Sequence, residues 1–424
     1  MKDNLRIGFV SIEDANDVRS WSGTPYNILS ALKRQDVSIR VFSPLKQEFR
    51  YVLAPIKILA RCLKKEVIFN HYKIALRSYA RQLKEKMREN PVDVILSVGS
   101  QPFTLLECEI PIVFYTDAIF HMMLGYYGGR WSQLTKGAVR RGMWQEEKAV
   151  DRCTIGAYSS NWAAEGARNL TLTDKIRVVH FGASMPVNHD IGTIQEWVSE
   201  RLNRQPSECR LLFVGVEWER KGGAVAVETA RLLNKLGIKT TLTIVGCQPE
   251  GDVPSYVEVS GFLNKHSPQA RKQLEDLYRR ATFFILPTRA EASAIVYCEA
   301  SAFGLPTLTF RTGGVEDYVR DGVNGVCLPL DSGPANFAET AKEIIEDRDR
   351  YSALCLGAFN EYKTRLNWDN TAGGLVDLCR EALRNKSGLQ PKQNGWSSLR
   401  ETPQAESSQA FGSAGDLLSE PGLL

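Results

Sequence analysis

Two series of short apolar runs, each followed by a loop and a helical pattern, constrain this chain more than any other feature. The first series falls at residues 7–10, 38–42, 94–98, 112–115, 154–158 and 176–179. The second falls at 211–214, 241–245, 257–260, 283–286, 307–310 and 325–328. Runs this short that alternate with helices read as parallel strands, because a parallel pair needs a crossover to join it. Between the two series, residues 185–208 are polar and carry no strong strand signal. The expected fold is therefore α/β: two Rossmann-like parallel-sheet domains, 1–184 and 209–365, joined by a linker with a short helix. A last helical stretch, 350–383, is interrupted at Trp368. From residue 386 the composition turns to Ser, Gly, Gln and Pro, and residues 386–424 read as a disordered tail.

Composition excludes several classes. Hydrophobic residues make up 43% and charged residues 24% of 424, which is ordinary for a globular chain. The formal charge of +4, without Lys/Arg runs among interleaved aromatics, argues against a nucleic-acid partner. Nine singly spread cysteines and five histidines without metal-ligand spacing predict neither a disulfide framework nor a metal site. The opening residues show no signal-peptide pattern, and no apolar run is long enough to span a bilayer. The expectation is a cytoplasmic protein.

Four segments carry candidate chemistry. After the run at 283–286, a loop holds Arg289 and Glu291. Ser293 stands where it could cap a helix from Ala294 to Phe303 that carries Glu299. A helix terminus at the carboxyl end of a sheet attracts phosphate, and nearby carboxylates can bind sugar or ribose hydroxyls. The same pair of glutamates also suits a solvated face. The segment from Gly215 to Gly223 holds Arg220 and Lys221 at a strand-to-helix loop, suited to a diphosphate or to surface pairing with Glu217 and Glu219. Ser22-Gly23-Thr24-Pro25 offers either close backbone approach to a ligand or a simple helix cap by Thr24. Asp117 follows a strand end, where ligands bind in such sheets and where turn-forming aspartates also occur.

Taken in order, these residues resemble glycosyltransferase family four, a large retaining group with the GT-B fold. The resemblance runs to about residue 384. Its most specific stretch starts at Glu291-Ala-Ser-Ala-Ile-Val-Tyr-Cys-Glu299-Ala and continues through Ala302-Phe-Gly-Leu-Pro306, Gly313-Gly314-Val315-Glu316 and Asp321-Gly322-Val323-Asn324-Gly325. Lys221-Gly222 matches the family's lysine, and Asn367-Trp368-Asp369 resembles its C-terminal crossover, so residues 366–385 are expected to return to the first domain.

The resemblance implies a metal-independent, retaining enzyme without cofactor. It would move a hexose-type sugar from a nucleotide-diphosphate donor to a glycan, glycolipid or small-molecule acceptor. Lys221, assisted by Arg220, would hold the diphosphate, and Glu299 the ribose. Glu291 would contact the transferred sugar. Amides at Ser293, Ala294 and Ile295 would meet phosphate or sugar, and Gly215 lies in the diphosphate loop. Gly261, Phe262 and Leu263 would flank the base, with Gly23 and Thr24 across from the donor. Asp117 stands near where the family often has histidine; His121 follows closely. The family's usual arginine after the strand-ending glycine is Val216 here, and its usual glycines after the first glutamate are Ala292 and Ala294.

Two other readings share the architecture: a nucleotide-sugar epimerase and a non-catalytic sugar-binding protein. A dinucleotide oxidoreductase fits less well, since no GxGxxG follows the first strand. Residues 46–90 are basic and mostly helical. They read first as a solvated face, and alternatively as a peripheral contact with an anionic membrane or lipid-linked acceptor.

Overall fold

In the computed structural model, residues 5–185, 187, 189–204, 206–265 and 267–386 are described. The first domain contains strands β1 (Arg6–Ser11), β2 (Ser38–Phe42), β3 (Val94–Val98), β4 (Ile112–Thr116), β5 (Ile155–Tyr158) and β6 (Ile176–Val178). The second contains β7 (Glu208–Val214), β8 (Lys239–Val245), β9 (Val257–Gly261), β10 (Phe283–Leu286), β11 (Thr307–Phe310) and β12 (Gly325–Leu328). Every pairing within each sheet is parallel. Strands β3, β4, β5, β10 and β11 are buried almost throughout, which explains their unbroken apolar runs: helices cover both faces.

The two sheets have different orders. The first runs β2-β1-β3-β4-β5-β6, the second β12-β11-β10-β7-β8-β9. In the second sheet the chain starts at β7, winds outward through β8 and β9, then returns to β10 on the other side of β7. The chain therefore reverses direction between the neighbours β7 and β10, and the carboxyl ends of strands at such a reversal are the usual ligand position in doubly wound sheets. In the first sheet the corresponding reversal lies between β1 and β3.

Two segments tie the domains together. The helix Trp368–Lys386 returns from the second domain and packs on the Thr24–Leu32 helix and on β3, β4 and β5. Its entry is fixed where Ala183 N–H donates to Leu366 O at 3.1 Å and Trp368 packs on Phe181, ring centroids 5.6 Å apart. The helix takes in Lys386, the first residue of the expected tail, and residues 387–424 lie outside the described residues. Within the stretch read as a linker, the helix Ile191–Leu202 packs against the second domain. Its buried Arg201 donates to the carbonyls of Tyr278, Arg279, Phe303 and Gly304. A guanidinium sealed in this way satisfies its donors with backbone oxygens in place of a carboxylate.

Candidate functional site

The loops after β7 and β10 form one body. Gly222 holds φ +78, and a Cβ there would collide with the Pro287 carbonyl, so only glycine lets the two backbones meet. Arg289 N–H donates to Arg220 O at 2.9 Å, and Thr288 Oγ1 to the same oxygen at 3.2 Å. This lock sets the side chains that follow. Lys221 Nζ donates to Glu291 Oε2, and Arg220 Nη1 lies 3.4 Å from that oxygen and 2.7 Å from Ala290 O. Arg220 also grips Glu217, at 2.7 and 3.0 Å. Lys221 is 8% and Glu291 6% exposed. Surface pairing of Arg220 with Glu217 and a buried cluster with Glu291 thus coexist.

Glu299 is fully buried in the helix Ile295–Ala302. Lys265 Nζ donates to its Oε2 at 2.7 Å and Tyr278 Oη to the same atom at 3.1 Å. Two expected caps are corrected. The helix starts at Ile295 with Ala294 as its extended N-cap, so Ser293 sits one residue too early to cap it. Its Oγ donates instead to Ala292 O at 2.6 Å and meets Ser159 Oγ of the first domain. Thr24 likewise is the first helical residue rather than the cap. That place belongs to Gly23 at φ +80, which has no side chain to offer.

In the first domain, Trp21, Ser22 and Gly23 hold φ of +44, +55 and +80 in succession. Non-glycine residues in this region cost about 1–3 kcal/mol each and concentrate at binding sites. The Trp21 side chain lies near enough to Asp117, which follows β4, to act on its carboxyl. Burial pushes the Asp117 carboxyl up to about 6. The negative charge of Glu291 adds to that rise, while backbone and Trp21 hydrogen bonds oppose it. Asp117 and Glu291 are thus electrostatically coupled across the domain boundary. His121 lies on the short helix Phe120–Met123, half-buried, with its pKa lowered mainly by burial.

The carboxyl ends of β7, β8 and β9 adjoin: Gly215 N–H donates to Val245 O at 2.9 Å and Gly246 N–H to Gly261 O at 2.8 Å. Gly215, Gly261, Phe262 and Leu263 therefore border the same edge of the sheet, with Phe262 exposed. Among the described residues, no group of three or more His, Cys, Asp or Glu is placed to hold a metal ion.

Three further residues join the site. Tyr126 Oη accepts Glu291 N–H at 2.9 Å, Tyr127 Oη accepts Ala292 N–H at 2.6 Å, and the Arg220 guanidinium lies 5.2 Å over the Tyr127 ring. Burial raises both phenols. The sequence did carry a signal for this pair, since Gly125 and Gly128 bracket it, both in the left-handed region. Lys265 gave none, because its partner lies 34 positions away.

Residues 208–347 match the family described as glycosyl transferases group 1. A D-inositol 3-phosphate glycosyltransferase of Acidothermus cellulolyticus is 30% identical over 227 residues, covering 50% of this chain and 49% of that one. Its counterpart from Thermobispora bispora is 29% identical over 193 residues, covering 42% and 44%. The chain spans about half the length of these curated relatives. Among solved structures, sucrose-phosphate synthase from Thermosynechococcus elongatus superposes with a TM-score of 0.62 at 13% identity, over 90% of this chain and all of the other. WaaG, a glycosyltransferase involved in lipopolysaccharide biosynthesis, gives 0.55 at 16% identity, over 91% and 100%. Anabaena HepE in complex with UDP-glucose gives 0.56 at 13% identity, over 89% and 100%.

Proposed function

We propose that this chain, whose second domain belongs to the group 1 glycosyltransferases and whose fold is GT-B, transfers a hexose-type sugar from a nucleotide-diphosphate donor to an acceptor hydroxyl with retention. One observation carries the reading. Two cations and a carboxylate, Arg220, Lys221 and Glu291, are gathered with little exposure at the carboxyl ends of β7 and β10, where the second sheet reverses direction. Buried charge of this kind is costly as scaffolding and is concentrated at functional sites.

In this reading the donor diphosphate takes Lys221 and Arg220 away from Glu291, with the Ser293–Ile295 amides completing the anion's cradle. These two side chains neutralise the leaving diphosphate, the task a metal ion has in other transferases. Glu291, released, turns to the sugar hydroxyls. The ribose hydroxyls bond to Glu299 in exchange for Lys265, and Gly261, Phe262 and Leu263 flank the base beside Gly215. Across the crevice Gly23 and Thr24 face the donor, and Asp117 orients the acceptor hydroxyl, whose proton passes to a donor phosphate oxygen. Attack and departure then share one face of the sugar. Closure of the domains would keep water from the donor. HepE, of the same fold, has been captured with UDP-glucose. That supports the donor class; the acceptor in this reading is a glycan, glycolipid or small molecule bearing a free hydroxyl.

Thermal shift against a panel of nucleotide sugars, followed by turnover with the stabilising donor, tests this directly. Wild-type protein should be stabilised by at least one donor, and Glu299→Gln should lose most of that shift, measured from its own ligand-free melting point. A panel without any shift, or a Glu299→Gln shift equal to wild type, would refute the reading. Isomerised donor without acceptor would mean an epimerase.

A further inference from the structure

We propose that the helix Phe49–Cys62 docks this chain on a bilayer bearing anionic headgroups. The inference stands apart from sugar transfer and rests on residues outside the candidate site. The helix touches the protein through Phe49, Leu53 and Ala60 alone among its buried residues, with Phe49 edge-on to Tyr79 at 5.5 Å. The remainder stands in solvent. Tyr51 is 85%, Ile58 65% and Leu59 63% exposed, and Val52 and Leu63 are similarly open. At about 100° per residue, these side chains and Pro55 fall on one broad arc beside the buried edge. Arg50, Lys57 and Arg61 fall on the opposite flank. Apolar surface kept in water on a single helix needs an explanation, and here it comes with a basic stripe along its border.

Charge selects the occupant. Residues 46–90 hold twelve lysines and arginines against four glutamates, a formal +8 in a chain whose total is +4. On the adjoining helix Lys73–Glu89, Arg77, Arg81, Lys84 and Arg88 line a shallow groove. The ion pair this segment makes among the described residues is Lys84–Glu107 at 3.7 Å, exposed on both sides. A second copy of the chain would meet this surface with the same sign. A bilayer offers apolar depth and negative headgroups to the two flanks at once, without requiring a shaped groove. No described helix is long and apolar enough to cross a membrane, so the contact is peripheral.

Co-sedimentation of the full chain with phosphatidylcholine vesicles, with and without phosphatidylglycerol, provides the test. Wild type should sediment with the anionic vesicles and stay largely free with phosphatidylcholine alone. Raising salt until the Debye length is about 3 Å should release it. Lys57→Ala with Arg61→Ala should weaken binding about 25-fold, at roughly fivefold per cation near the surface. Ile58→Glu with Leu59→Glu should weaken it at least tenfold. All four side chains are exposed, so melting should be unchanged and a loss of binding is not a loss of fold. No sedimentation, or equal sedimentation of all variants, would overturn the proposal. So would lipid-free self-association, seen by light scattering, that Ile58→Glu with Leu59→Glu abolishes; that would make the helix a dimer contact.

Discussion

The two sheets hold their site residues by different physical means. In the second domain, charge holds charge: Lys221 sits on Glu291 and Lys265 on Glu299, and both carboxylates are nearly or fully sealed. In the first domain, backbone holds the side chains. Trp21 and Ser22 occupy left-handed conformations in a loop near Asp117, and a glycine-bracketed pair, Tyr126 and Tyr127, reaches across to the amides of Glu291 and Ala292. The charge-held half presents a preorganised electrostatic surface whose internal partners must be displaced by a ligand of similar charge. The backbone-held half is built from loops, which adapt and diversify more readily. The contrast separates a half fixed in advance by buried charge from a half built on loops.

The largest effect should come from the charge-held half. Lys221→Ala should lower kcat/KM about 10²–10³-fold, the usual cost of one preorganised donor at developing charge. Steady-state kinetics with the stabilising donor checks this. A loss below tenfold would move the diphosphate grip elsewhere and break the comparison at its stronger end.

Asp117 tests the other half. Its carboxyl is raised to about 6, chiefly by burial, so the fold favours the neutral acid and the carboxylate predominates only above that pH. If the carboxylate orients the acceptor hydroxyl, kcat/KM should rise through pH 6 in wild type. Asp117→Asn should flatten that limb and lower the plateau by up to about 10²-fold. The same upward shift means that ionising Asp117 costs stability, so wild type should lose stability relative to Asp117→Asn as pH rises from the ordinary aspartate range through 6. A pH profile unchanged by the substitution would reduce Asp117 to a structural role.

Legibility in sequence follows the same division. The strands were readable because burial makes most of them short apolar runs; β2, β3, β10, β11 and β12 coincide with the expected limits, and the remaining limits shift by up to three residues. Glu291, Glu299 and Lys221 were readable because each occupies a fixed place in a local motif around a glycine or a helix start. The expected caps by Ser293 and Thr24 were not, since a cap depends on the residue at which helical φ/ψ begins, and a one-residue shift hands the place to a neighbour. Tyr126, Tyr127 and Lys265 act through contacts 34 to 165 positions away. No local pattern encodes such a distance: the packing of one domain on the other creates it for the two tyrosines, and packing within the second domain creates it for Lys265. The sheet order of the first domain also lies beyond the strand pattern, because both orders satisfy the same alternation of strand and helix.

The smallest effect should lie where the two halves meet. Ser159, after β5, shares a hydrogen bond with Ser293, which also donates to Ala292 O. Ser159→Ala removes one neutral bond and leaves Ser293 its carbonyl acceptor, so the stability cost should be about 0.5–1.5 kcal/mol by urea denaturation. Kinetically, the change touches neither the cations nor the carboxylates. It loosens one point at which the first domain steadies the loop between Glu291 and the helix bearing Glu299, so kcat should change less than donor KM, and both by only a few-fold. A loss comparable to that of Lys221→Ala would mean that the domain contact, rather than the charge cluster, sets the geometry of the donor side, and the division between a charge-held and a backbone-held half would fail.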